Sequence, residues 1–104
     1  MENNITCYEL TPDCNNRKSF YGKAKVYVRG GWIVLKSYDT YVCAINIKGE
    51  FLRYWPGYSA TTARHISTFC RAHGLSAPCK SEWESMPVLR FSWVDFYMGK
   101  PIAA

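Results

Sequence analysis

No stretch of this chain approaches the roughly 18 to 20 apolar residues that a membrane-crossing helix needs. Its first ten residues, Met1 to Leu10, carry neither a basic start nor an apolar signal core. A soluble protein that stays in the cytoplasm where it is made is therefore the expectation. Paired CxxC motifs are absent, and the five cysteines, Cys7, Cys14, Cys43, Cys70 and Cys79, form an odd set. Reduced thiols are expected rather than a disulfide framework. A glycine-rich phosphate loop is also missing, which sets aside P-loop chemistry. Neither an internal repeat nor a low-complexity tract is present.

What is present describes one globular domain spanning residues 1–104. The 104 residues are 48% hydrophobic and 16% aromatic, enough for a modest core and too much for a disordered polar chain. A net charge of +5 and a pI near 9.0 permit attraction to nucleic acid or to an acidic protein surface. The position of those charges matters more than their sum.

The pattern along the chain predicts an α+β fold, an antiparallel meander of four or five strands with one main helix packed on one face and a short second helix. Residues 1–19 read as an edge strand and a loop. Residues 20–55 are rich in β-branched and aromatic residues broken by turn signals, which predicts the meander. A two-residue Gly30-Gly31 turn pairs Val28 with Ile33, Val26 with Leu35 and Ala24 with Ser37, so one face is apolar on both strands. Keeping Cys43 and Ile45 on that face requires an odd connection, Tyr38 to Thr40, because side chains alternate with period two. A Lys48-Gly49 turn then places Leu52 and Tyr54 on the core face and Arg53 and Trp55 on the outer one. Residues 59–74 show helical spacing in Ala63, Ile66, Phe69 and Cys70, with Ser59 or Thr61 as cap and Gly74 as stop. Ser81 and Glu84 have capping-box spacing for a short helix at 81–86, and 88–98 reads as a strand or strap.

The outer face is the candidate site. It interleaves Lys23, Lys25, Tyr27, Arg29, Trp32 and Lys36 with Arg53 and Trp55, a mixture of cations and rings used for single-stranded nucleic acid or for a protein hot spot. Lys25 falls opposite Lys36, a repulsive pairing that an acidic partner or a phosphate would relieve. The competing reading lets the lysines bend into solvent and packs the aromatics under the C-terminal segment. At the helix start Ser59, Thr61, Thr62, Arg64 and His65 resemble an anion site, yet Ser59 and Thr61 are accounted for as caps, and Arg64 and His65 fall on the expected solvated side. His65, Cys70, His73 and Cys79 match no strong zinc spacing, and no orienting group accompanies a Cys70–His73 pair. Catalytic residues, metal and cofactor are all expected to be none.

Three segments, SFYGKAKVYV, VLKSYDTYVCAI and WPGYSATTARHISTF, resemble a family of small proteins from phages, prophages and mobile elements. That family joins a short sheet to a helix of the pattern YSATT.RHI..F, and SEWESMPV resembles its usual sequel. The likeness spans roughly residues 18–88 and supplies no catalytic residues. It implies a non-enzymatic protein that binds and inhibits a host defence nuclease, an anti-CRISPR protein that blocks a CRISPR effector sterically in the bacterial cytoplasm. A nucleic-acid-binding accessory protein is the alternative. The tail after Val88 lies outside the pattern.

Overall fold

The computed structural model describes residues 5–10, 23–91 and 96. The expected loop after the edge strand, the first residues of the expected meander and part of the expected 88–98 strap lie outside these described residues. Gly30 and Gly31 take φ values of 55° and 90°, the left-handed pair a tight hairpin requires. They join β2 (Ala24–Arg29) to β3 (Trp32–Ser37) in the register that alternation predicts, Val28 with Ile33 and Val26 with Leu35. β1 (Thr6–Glu9) pairs antiparallel with β2, and β4 (Thr40–Ile45) and β5 (Phe51–Arg53) complete a five-stranded antiparallel sheet in chain order. With α1 (Ala60–Ala72) and the short α2 (Lys80–Ser85), the fold is α+β.

Two turns differ from their expected form. Between β3 and β4 the loop is Tyr38-Asp39, with Ser37 paired to Thr40 and Tyr38 at a positive φ of 56°. The odd residue is supplied instead by a bulge, because the pairing shifts between Leu35 and Lys36 and leaves Val42 as the extra residue on β4. Leu35 thus meets Cys43 and Ile33 meets Ile45, so the strand interior keeps the expected faces.

Between β4 and β5 the faces change. Asn46 Oδ1 accepts the backbone N–H groups of Lys48 and Glu50, its own N–H donates to the Glu50 carbonyl, and its amide donates to Glu50 Oε1. That side-chain turn occupies five residues, so Ile45 pairs with Phe51 rather than with Leu52. The one-residue shift inverts β5. Leu52 and Tyr54 face away from α1, and Arg53, opposite Cys43, faces toward it.

The helix ends follow local chemistry. Ser59 caps α1 by accepting the Thr62 N–H at 3.1 Å. Beyond it, Gly74 at φ 75° lets Leu75 N–H reach the Cys70 carbonyl and Gly74 N–H the Arg71 carbonyl, the paired bonds of a Schellman stop. The box of α2 is built from Cys79 and Glu82, not Ser81 and Glu84. Glu82 Oε1 accepts the Cys79 N–H at 2.9 Å, because the helix begins at Lys80 and places Glu82 at its third position.

One sheet face is covered by the helices and the other is covered in part. Val26, Leu35, Cys43 and Ile45 pack against Ile66, Phe69 and Cys70 of α1 and Trp83 of α2. On the other face Val34, Ala44 and Tyr54 form a second cluster with Phe96 and Phe91.

The inversion of β5 sends Arg53 inward, where it is 4% exposed. Its guanidinium donates to the carbonyls of Trp55, Pro56 and Met86 at 2.8–2.9 Å and lies 4.9 Å from the ring of Trp83. Trp83 Nε1 in turn donates to the Gly57 carbonyl at 2.8 Å. Arg53→Ala should therefore lower stability by about 3 to 5 kcal/mol, since it removes three charge-assisted bonds and a ring contact together. Urea unfolding followed by tryptophan fluorescence measures this; a loss below about 1 kcal/mol would contradict the role assigned to Arg53.

Candidate functional site

Alternation along the first hairpin carries Lys25, Tyr27 and Arg29 on β2, and Trp32, Val34 and Lys36 on β3, to the face away from α1. Val34 is buried there and the other five are half-buried. Lys25 lies opposite Lys36 as expected, yet both cations have company within the chain. Glu9 of β1 is the other cross-strand neighbour of Lys25, and Lys36 Nζ sits 5.2 Å from the centre of the Tyr41 ring. A neighbouring carboxylate and a ring face both offset like-charge repulsion. Lys23 is exposed just ahead of β2, its ammonium 6.0 Å from the Tyr38 ring.

The aromatic part of this face is divided. On the β4–β5 side Phe91 stacks on Tyr41 at 4.6 Å and tilts against Tyr54 at 5.2 Å, and Phe96 lies 6.0 Å from Phe91. Tyr27 and Trp32 on the β2–β3 side border the same cluster but stay half-buried. An open face and a face under the C-terminal segment each describe one half of it.

Arg53 and Trp55 do not belong to this patch. The Asn46 turn places Arg53 in the clasp above Trp83, and Trp55 packs against the cluster on the α1 side. A Cβ added at Gly57 would come within 2.6 Å of the Trp55 ring, so only glycine lets the chain pass so close to it. The candidate patch is thus Lys25, Tyr27, Arg29, Trp32 and Lys36, with Lys23 at its edge.

At the start of α1, Arg64 is exposed as expected, but His65 is completely buried rather than solvated. Its Nδ1 lies 2.8 Å from Ser37 Oγ, and Ser37 Oγ lies 3.1 Å from Thr62 Oγ1. These three buried groups join the helix to β3 by hydrogen bonds inside the layer between sheet and helix. The signal was available in the sequence: positions 62, 65 and 69 share one helical stripe, and Ser37 continues the inward face of β3. Polar residues on two inward faces must find one another, because a buried polar group left unpaired is costly. Buried without access to a substrate, the Ser37–His65 pair is arranged for packing.

The remaining candidates are occupied structurally. Cys70 is in the core, where burial pushes its thiol up to about 11. Cys43 faces the same layer, and burial raises its thiol well above the ordinary value, with the nearby Cys70 adding to the effect. Cys79 is an exposed cap residue. Among the described residues, no three His, Cys, Asp or Glu side chains gather where they could hold a metal ion.

His73 closes α1, edge-on to Phe69 at 5.2 Å, with its Nε2 buried and lacking a hydrogen-bond partner. Burial lowers its imidazole below the ordinary 6.5. The folded state therefore favours the neutral ring, and the unfolded chain takes up the proton first as pH falls. Its contribution is full above 6.5 and is lost as pH drops through the lowered value. Wild-type protein should lose more unfolding free energy between about pH 7 and pH 5 than His73→Gln does. Equal losses in chemical denaturation series would remove His73 as the source.

The matched family model covers residues 8–85, from β1 to the end of α2, and its description is a family of unknown function (DUF8033). No curated protein and no solved structure matches the chain. The segment from Val88, which covers half of the second sheet face, lies beyond the matched residues. With most of its 104 residues inside that match, the chain belongs to the DUF8033 family.

Proposed function

We propose that this is a phage or mobile-element protein that acts by binding, covering a surface of a host defence nuclease with the Lys25, Tyr27, Arg29, Trp32 and Lys36 face and blocking it sterically. A CRISPR effector is the partner class, and the bacterial cytoplasm is the place of action. The observation that carries the reading is the patch itself: three cations around two half-buried rings on one face of the β2–β3 hairpin. Such a patch combines an aromatic anchor with charges that steer an acidic partner. The resemblance of SFYGKAKVYV and WPGYSATTARHISTF to mobile-element proteins supplies the partner class. A non-catalytic role is supported by the structural occupations of His65, Cys70 and His73, each tied to packing or to a helix end.

The test mixes purified protein with candidate CRISPR effectors and reads complex formation and target cleavage. Neither complex nor loss of cleavage with any of them would defeat the reading. Where inhibition is seen, the Lys25→Gln, Lys36→Gln double variant should keep the wild-type melting temperature and require roughly tenfold more protein for half inhibition, as lost steering and rim contacts imply. Trp32→Ala should weaken the complex by about 2 kcal/mol or more if the ring is an anchor. Unchanged inhibition by both variants would move the binding surface off this face.

A further inference from the structure

On the same sheet face, adjoining the Lys25 patch at Lys36, the β3–β4 turn and the Val88–Phe91 segment line an open groove of about 570 Å³. That volume lies within the range of small-ligand sites. Tyr41 and Phe91, stacked at 4.6 Å, line it together with Tyr54, while Asp39 contributes from the turn and Arg90 from the C-terminal segment. Lys36 Nζ, 5.2 Å from the Tyr41 ring, adds a second cation beside the aromatic pair.

Tyr54 is only 7% exposed, and its hydroxyl has no hydrogen-bond partner. Burial pushes its pKa up to about 12, so at neutral pH the group is a protonated donor without an acceptor. A buried hydroxyl in that condition is unfavourable unless something else completes it. The segment above it is lightly tied. Among the described residues its backbone meets the sheet at one bridge, Arg53 with Val88, and by Leu89 N–H donating to the Arg53 carbonyl at 2.8 Å. Tyr54 itself lines the groove, its ring centre 5.2 Å from that of Phe91.

We propose that this groove binds a nucleotide unit, its base laid against the Tyr41–Phe91 pair and accepting a hydrogen bond from Tyr54, its phosphate held by Arg90. Stacking surface, a lone donor and a guanidinium are the groups that recognise a planar ring carrying an anion. The inference uses none of the residues assigned to the nuclease-binding patch except Lys36, and it holds or fails independently of that reading. The unit has two sources, a free nucleotide or one residue of a single strand, and the chemistry of recognition is the same for both.

The test titrates the full chain with adenosine monophosphate and, separately, with a short oligoadenylate, following tyrosine ring resonances and melting temperature. At least one probe should shift the Tyr41 and Tyr54 resonances and raise the melting temperature. Comparable affinity for the two identifies the free nucleotide as the source; much tighter oligoadenylate binding that weakens steeply with salt identifies the strand. Tyr54→Phe, which keeps the ring and removes the orphan hydroxyl, should be at least as stable as wild type without ligand and bind roughly tenfold more weakly. Arg90→Ala, at an exposed position, should weaken binding with unchanged stability. Failure of both probes to bind, undiminished binding by Tyr54→Phe, or equal binding of a polyglutamate peptide would each overturn the proposal.

Discussion

The buried guanidinium of Arg53 is the interaction around which this domain closes. A cation taken from water must recover its lost hydration. Here the recovery comes from three backbone carbonyls and the face of Trp83. Those carbonyls belong to β5's exit at Trp55 and Pro56 and to the end of α2 at Met86. One side chain thereby fixes how the chain leaves the sheet, where α2 ends, and where the Val88–Phe91 segment sets out across the second face. Trp83 reinforces the joint through the Gly57 carbonyl, just ahead of the Ser59 cap of α1.

The legible parts of the sequence are those whose signal is local and chemically unambiguous. Gly30-Gly31 needs positive φ at two successive residues, which glycine alone supplies freely, so the first hairpin and its register could be read directly. Gly74 stops α1 for a similar reason. The unread parts depend on side chains that reshape the backbone. Asn46 replaced an expected two-residue turn by a five-residue one through bonds to Lys48 and Glu50, and the one-residue shift in register that results inverted Leu52, Arg53, Tyr54 and Trp55. The Val42 bulge preserved faces that a turn had been expected to preserve, so the faces came out right with the odd residue in a different place.

The candidate site was half legible for the same reason. Positions on β2 and β3 followed from alternation, and Lys25, Tyr27, Arg29, Trp32 and Lys36 share a face as read. Arg53 and Trp55 were carried to the wrong side by the turn that Asn46 controls. The His65 network was hidden by residue type: histidine and threonine were read as solvated or capping, although their spacing put them on the stripe of Phe69. The partial cover over the second face could be posed from the sequence only as an alternative, because nothing local in VLRF says which part of a sheet it will meet.

Chain order and spatial order coincide from β2 to β5, so each strand pair there closes a loop of only two to five residues. Little entropy is lost in making those pairings, and topologies of this local kind fold quickly. The Arg53 bond to Met86 spans 33 residues, and the Trp83 bond to Gly57 spans 26. Contacts of that span close longer loops than the strand pairs do, so they are expected to complete after the sheet exists. Interactions absent from the transition state govern the rate of unfolding rather than of folding. The clasp therefore acts as a latch on the lifetime of the native state, on top of a meander that assembles without it.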